Sequence, residues 1–254
     1  MTKWKQAVLA STAIVGMVGP AAAADLAYKA AAPVAYVNTW EGLYIGIHAG
    51  AASQDSTCSP FDSGGSSVGC AGYGFLYYGS GDHRVRSTSA LVGVEIAQNW
   101  QSRNFVYGVA ADWSWTGLKG NSAGCSGSCS YEAKVNWLAS FRGRAGLALE
   151  NTMLYVTGGL ALAGVKNTTW AGNPYNLNIN STRSTAIGWV AGAGVEHMFD
   201  QRWSIKGEIL HYDFTNVEGG RGQCVPVDTC SYNLSYNTDH TINVARVGLS
   251  YKIW

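Results

Sequence analysis

From Leu43 onward the chain alternates between large apolar side chains and small or polar ones, the period of two expected of strands with two unlike faces. In the first run Leu43, Ile45, Ile47 and Ala49 interleave with Tyr44, Gly46, His48 and Gly50. The second sets Val92, Val94 and Ile96 against Gly93, Glu95 and Ala97. In the third, Phe105, Tyr107, Val109, Ala111, Trp113 and Trp115 oppose Gly108, Ala110, Asp112 and Ser114. A fourth places Val135, Trp137, Ala139, Phe141, Ala145 and Leu147 against Asn136, Ser140, Arg142, Arg144 and Gly146. The fifth sets Leu154, Val156, Leu160 and Leu162 against Tyr155, Thr157, Gly159 and Ala161; the sixth sets Ile187, Trp189, Ala191, Ala193 and Val195 against Gly188, Gly192, Gly194 and Glu196. Trp203, Ile205 and Ile209 against Lys206, Glu208 and Tyr212 form the seventh. In the eighth, Val247, Leu249, Tyr251 and Ile253 face away from Arg246, Gly248, Ser250 and Lys252.

In each run one row is large and apolar and the other is glycine, small polar or charged. A soluble sandwich also alternates, but its solvent row carries Lys, Glu and Thr rather than glycine. Glycine beside a few long charged residues describes a confined interior, so the apolar row is read as lipid-facing. The prediction is an all-β fold: an eight-stranded antiparallel transmembrane β-barrel. The connections divide the same way. Those near 101–103, 150–152 and 200–201 are short; those near 54–82, 117–130, 167–182 and 216–238 are long and rich in Gly, Ser, Asn and Cys. Short periplasmic turns and long extracellular loops, with both termini periplasmic, are the arrangement expected in an outer membrane. Trp40, Trp100, Trp203 and Trp254 are expected in the periplasmic aromatic girdle, and Trp113, Trp115 and Tyr131 in the outer one.

The first residues read as an address. Lys3 and Lys5 precede an uncharged apolar stretch, Ala7 to Gly19, and Pro20 leads into Ala21-Ala22-Ala23-Ala24-Asp25. That is the layout of a secretory signal peptide over 1–24, followed by a flexible segment over 25–38 and the barrel over 39–254. No later stretch is apolar for long enough to cross a bilayer as a helix. Composition adds two exclusions. With 17 basic and 16 acidic side chains in 254 residues, the net charge of +1 offers no basic face for nucleic acid. A hydrophobic share of 47 % argues against disorder.

The six cysteines fall within the expected loops as local pairs, Cys58/Cys70, Cys125/Cys129 and Cys224/Cys230. An exported chain meets an oxidising compartment, so three loop-stapling disulfides are expected, and further ligands for a metal are lacking near Cys125 and Cys129. No cofactor is expected either, because the chain carries no phosphate loop and no dinucleotide fingerprint.

The inward row carries Glu95, Asp112, Arg142, Arg144, Glu196, Lys206, Glu208, Arg246 and Lys252. Eight strands enclose a space that side chains just fill, and charges of both signs confined there are expected to pair into a luminal network. The other reading of these residues is a narrow charged pore. Catalysis has only His211, Asp213 and His240 as candidates, with no positioned triad, so no enzyme is expected. His48 faces inward and reads as a hydrogen-bonded filler. The aromatic loop stretches Tyr73 to Tyr78 and Trp170 to Tyr175 offer contact points for a surface ligand, haem or a host molecule.

The chain's ending, Arg246-Val247-Gly248-Leu249-Ser250-Tyr251-Lys252-Ile253-Trp254, resembles the C-terminal assembly signal of bacterial outer-membrane barrels. Taken with Trp40-Glu41-Gly42-Leu43-Tyr44-Ile45-Gly46, Phe141-Arg142-Gly143-Arg144-Ala145-Gly146, Leu154-Tyr155-Val156-Thr157-Gly158-Gly159 and Gly192-Ala193-Gly194-Val195-Glu196, the whole chain resembles the alphaproteobacterial outer-membrane immunoprotein family of opacity-like small porins. Relatives usually end on Phe directly after the basic residue, whereas Ile253 and Trp254 follow Lys252 here. The resemblance implies that Arg246, Gly248, Tyr251, Ile253 and Trp254 present the final strand to the barrel-assembly machinery. It implies an integral outer-membrane location among lipid and lipopolysaccharide. The expected role is envelope structure with limited passive permeation; a small-solute porin proper, or a surface ligand-binding protein acting through its loops, are the alternatives.

Overall fold

A computed structural model describes residues 39–59, 61–62, 67–68, 83–124, 129–173, 176–222 and 234–254. The segments assigned above to a signal peptide and a flexible linker lie outside them, as do Cys70, Cys125, Cys224, Cys230 and the Tyr73–Tyr78 stretch. Eight long strands form the wall: β1 (Gly42–Ser59), β2 (His83–Ser102), β3 (Phe105–Gly124), β4 (Cys129–Leu149), β5 (Thr152–Asn173), β6 (Asn176–Met198), β7 (Trp203–Gly222) and β8 (Leu234–Lys252). Each pairs antiparallel with its chain neighbours, and β1 pairs with β8 to close the barrel. A two-residue ribbon, Phe61–Asp62 with Val68–Ser67, lies between β1 and β2 in sequence. Followed around the wall, the pairing that starts at Phe105 opposite Leu147 returns to β3 at Trp115, ten residues further along. A stagger of that size in eight strands tilts them by roughly 40° from the barrel axis.

The alternation sorts side chains as the pattern predicts over most of the wall. Ile47, Val94, Phe141, Leu160, Ile187, Ile209 and Val247 point outward and are exposed; Glu95, Asp112, Arg142, Glu196, Glu208 and Arg246 point inward and are buried. The tight turns sit at one end. Arg103 and Glu150 each take a positive φ, 54° and 55°, so that β2–β3 and β4–β5 reverse over two residues. The β6–β7 turn is longer, with Phe199 and Asp200 donating backbone N–H groups to the Trp203 carbonyl.

The structure departs from the sequence reading in several places. The strands continue well into the segments expected to be loops. β5 and β6 stay paired to Asn173 and Asn176, and β3 and β4 to Gly124 and Cys129. These ends are rich in Ser, Thr, Asn and Gly, so apolar alternation stops while the backbone ladder goes on. Cys58 and Cys129 consequently lie in β1 and β4 rather than in loops. In β4 the register slips on both sides at Asn136, between Val135 and Trp137. That slip turns Val135 inward, out of the lipid row where uninterrupted parity would put it. Trp40, expected in a girdle, is fully buried instead.

Candidate functional site

Among the described residues the buried polar chemistry is concentrated in the interior, and it is layered along the barrel axis. At the turn end, Trp40 packs with Val106, Ala148, Met153, Tyr155 and Met198. The short segment before β1 holds it there. Its backbone N–H donates to Gln101 Oε1 at 2.6 Å, and its carbonyl accepts from the Tyr44 hydroxyl at 3.1 Å.

Above that cap lies a charged layer of four acids, Glu95, Asp112, Glu196 and Glu208, and four bases, Arg142, Arg144, Lys206 and Arg246, all buried. The register brings Glu95 directly opposite Asp112 on β2 and β3, a like-charge pair that is unfavourable without a cation between them. Two guanidinium groups supply it from opposite walls, since β4 and β8 stand four strands apart around the barrel in either direction. Arg142 on β4 lies 2.9 Å from Asp112, 3.2 Å from Glu95 and 3.2 Å from Glu208. Arg246 on β8 reaches the same three carboxylates, at 2.6 Å for Glu208, 3.2 Å for Glu95 and 3.3 Å for Asp112. Lys206 is ion-paired to Glu95. Neutral groups fill remaining lone pairs: the Ser140 hydroxyl donates to Asp112 at 2.6 Å and the Tyr155 hydroxyl to Glu208 at 2.8 Å. His48 Nε2 accepts from Arg246 at 3.1 Å and lies 2.8 Å from the Ser114 hydroxyl.

A second, smaller cluster lies beside it. Arg144 donates to Asn99 Oδ1 at 2.7 Å, pairs with Glu196 at 3.4 Å and sits 5.3 Å over the Tyr155 ring. Glu196 also accepts from the Ser204 hydroxyl at 2.5 Å. The Tyr155 ring needs Gly194 across from it on β6: a Cβ there would sit 2.5 Å from the ring carbon bearing the hydroxyl. Eight of the nine charged residues assigned to the interior therefore sit in these two clusters. Lys252 does not. It leaves the row at the end of β8, where its ammonium donates to the Thr39 carbonyl at 2.8 Å. The chain just in front of β1 lies against the turn end there and offers it a backbone acceptor.

Beyond the charged layer the inward row becomes apolar, which the sequence pattern did not suggest. Leu118, Leu138, Val165, Leu210, Phe214 and Ile242 belong to one buried cluster to which every strand of the wall contributes. Gln54, Ser56 and His240 form a polar group towards the loop end, with the Ser56 hydroxyl 2.6 Å from His240 Nδ1. The signal for the apolar layer lay in residues such as Leu138 and Val190, which sit between outward apolar residues and make both rows apolar over short stretches.

The histidine candidates for catalysis do not converge. His211 is on the outer wall, bonded to Asn243 at 2.8 Å and tilted against the Trp189 ring; His240 is buried inside. Asp213 lies on the outward row of β7, opposite Trp189. Among the described residues no group of His, Cys, Asp and Glu could hold a metal ion. Of the cysteine pairs, both members of one pair are never described, so the pairing expected above stays outside the described residues.

A closed barrel of eight antiparallel strands with an apolar outer belt, an aromatic-lined wall and buried ion pairs defines an outer-membrane β-barrel protein. No described helix is long and apolar enough to cross a membrane, which says nothing of crossing by strands. The model of the outer membrane protein beta-barrel domain family matches residues 11–252, and the chain belongs to that family. It is 34% identical to the 31 kDa outer-membrane immunogenic protein of Brucella melitensis, over 98% of this chain and 99% of that one. It is 26% identical to the 22 kDa outer membrane protein of Rhizobium leguminosarum bv. viciae, over 87% of this chain and 82% of that one. Among solved structures, the outer membrane protease OmpT of Escherichia coli matches with a TM-score of 0.53 at 10% identity, covering 84% of this chain and 97% of that one. That likeness is one of fold. The sequence relatives are named for their membrane and their immunogenicity, not for a reaction.

Proposed function

We propose that this protein is a closed structural barrel of the outer membrane that supports envelope integrity, with its turns and both termini on the periplasmic side. The observation that carries the proposal is the span of the charged layer: Arg142 and Arg246 enter from opposite walls and share Glu95, Asp112 and Glu208. A permeation path would have to cross that layer, the apolar layer and the Trp40 cap in series. A hydrated ion has no ready partner in the second, and separating the pairs of the first strands buried charge, at several kcal/mol per ion. Among the described residues the inner-wall charges also cancel, four against four, with no ring of one sign to select an ion.

The test is planar-bilayer recording of the folded full-length mature protein, beside a strain that lacks the gene. No discrete conductance steps are expected from the wild type. The deletion strain should gain sensitivity to detergents and large hydrophobic antibiotics, and the wild-type gene should restore resistance. Reproducible steps from the wild type would overturn the closed reading. A deletion strain with an unaltered barrier would overturn the structural one.

A further inference from the structure

Just beyond the aromatic girdle of the loop end, the outer wall carries four cations in one unbroken register. Lys119 on β3 faces Lys134 on β4, Lys134 faces Lys166 on β5, and Lys166 faces Arg183 on β6. All four are on the outward row: the flanking Leu118, Ala133, Val135, Val165 and Asn167 are buried inside, and Arg183 and Lys119 are exposed. Side chains directly opposite across a strand pair lie about 5 Å apart at Cβ, and like charges so placed are destabilising. Three consecutive like-charge contacts are therefore a standing cost to the isolated fold. Only Lys119 has a carboxylate, Glu132, at 3.0 Å. Lys134, Lys166 and Arg183 have none among the described residues.

The row is also placed for a membrane partner. Four residues towards the turn end from Lys119, on the same outward row, is Trp115, whose neighbour Trp113 stacks on Trp137 at 4.5 Å. Ile187 lies four from Arg183 on the same outward row and is exposed. Strand tilt makes the row oblique, rising by roughly 3 Å at each strand, so it runs from just above the girdle upward through the headgroup zone. The opposite flank differs. Asp213 and Asp239 occupy β7 and β8, and Asp55 on β1 already engages Arg84 and Arg86 of β2. Among the described residues the cationic strip is one-sided, as a docking strip is and a uniform interfacial belt is not.

We propose that Lys119, Lys134, Lys166 and Arg183 form a docking strip for the phosphate groups of lipopolysaccharide in the outer leaflet. The assignment rests on the orientation given under the proposed function, with the loop end outside. Phosphates seated between adjacent cations turn each repulsive cross-strand contact into a bridged one, with charge-assisted hydrogen bonds to two strands at once. The oblique rise lets one anionic glycolipid, phosphorylated at more than one depth, engage successive rungs.

The test uses folded full-length mature protein in neutral detergent, stripped of bound glycolipid, and fluorescent lipopolysaccharide as the probe. The K134Q/K166Q/R183Q variant should bind about a hundredfold more weakly, since each of the three cations near an anionic membrane surface contributes about fivefold. Wild-type affinity should fall steeply with salt, and the dephosphorylated probe should bind wild type no better than the phosphorylated probe binds the variant. Without lipopolysaccharide the variant should unfold at the same or a higher midpoint, because it lacks the repulsive contacts. If the triple variant fails to fold, K166Q alone should show the same direction in affinity and midpoint. Equal affinity of variant and wild type, tight binding of the dephosphorylated probe, or a flat salt dependence would each overturn the proposal. So would displacement by inorganic pyrophosphate at matched phosphate concentration, which would mean a simple anion site. Conductance through the wild type would overturn the closed-barrel reading and leave this strip standing.

Discussion

The two halves of the barrel interior are filled by opposite chemistry. On the side of the tight turns, eight buried charges lock onto one another; towards the loops, Leu118, Leu138, Leu210, Phe214 and Ile242 pack as they would in a soluble core. The difference separates two jobs. Apolar burial is non-directional and contributes about 1.5–3 kcal/mol for each large side chain removed from water. It holds the wall together but tolerates sliding. A buried ion network recovers little beyond its own desolvation, yet only one geometry satisfies it. In a wall of this stagger a slip by one residue would swing Glu95, Glu208 and Arg246 into lipid, so the charged half penalises wrong registers far more than it stabilises the right one.

The sharpest way to break that comparison is Arg142→Ala. It leaves Glu95, Asp112 and Glu208 facing one another with Arg246 and Lys206 as the cations still paired to them, and a loss of about 3–5 kcal/mol is expected. Urea unfolding in lipid vesicles checks it. Arg142→Lys should recover only part, because one ammonium cannot span three carboxylates as a planar fork does. A midpoint unchanged in the alanine variant would mean that the network is dispensable. The counterpart in the apolar half is Leu118→Ala, for which the lost contacts and cavity are worth about 3 kcal/mol. The two should differ in kind. Arg142→Ala should broaden or split the population of folded species on an unheated gel, whereas Leu118→Ala should lower the midpoint and leave one band. Identical band patterns would erase the distinction between register and stability.

The outer face of the wall was legible in the sequence because lipid enforces a strict rule: every second residue must be apolar while the strand is in the membrane. The luminal charges were legible by the same parity, since Glu95, Asp112, Arg142 and Arg246 all occupy the opposite row. What escaped was governed by other physics. No rule forbids an apolar residue inside, so Leu138 and Val190, each between apolar neighbours, gave only a faint sign of a layer. The slip at Asn136 depends on how two neighbouring strands pair, and no single-strand pattern contains it. Trp40 has an amphipathic ring that suits a girdle, but the chain before β1 folds across the mouth and Gln101 captures its backbone N–H. The paired strands outrun the apolar alternation, so Lys119 fell in a segment that reads as loop, and Lys134, Lys166 and Arg183 fell between the alternating runs and the expected loops.

A smaller effect is expected where the two chemistries meet. Gly194→Ala would drive a methyl into the Tyr155 ring and displace its hydroxyl from Glu208, at a cost of about 1–3 kcal/mol. Tyr155→Phe, which loses the hydrogen bond and keeps the ring, should cost less. If both cost the same, the hydrogen bond and not the packing explains the glycine.

The smallest effect belongs to Asp55, which carries an ion pair like those of the lumen but in a wetter place. The hydrogen bond from Arg84, with a second from Arg86, holds its carboxyl below the ordinary carboxylate range. A depressed value means that the pair adds stability above the unfolded value of about 4 and loses it as pH falls through the folded one. The arginines are exposed, so water and salt screen the attraction. Asp55→Asn should therefore leave the unfolding midpoint at pH 7 and 0.15 M salt within error of wild type, and the two should stay superposed below pH 3. A clear loss at pH 7 that disappears in acid would show that an ion pair of the outer rim counts as much as one of the lumen. Burial would then not be what separates the charged layer from the rest of the wall.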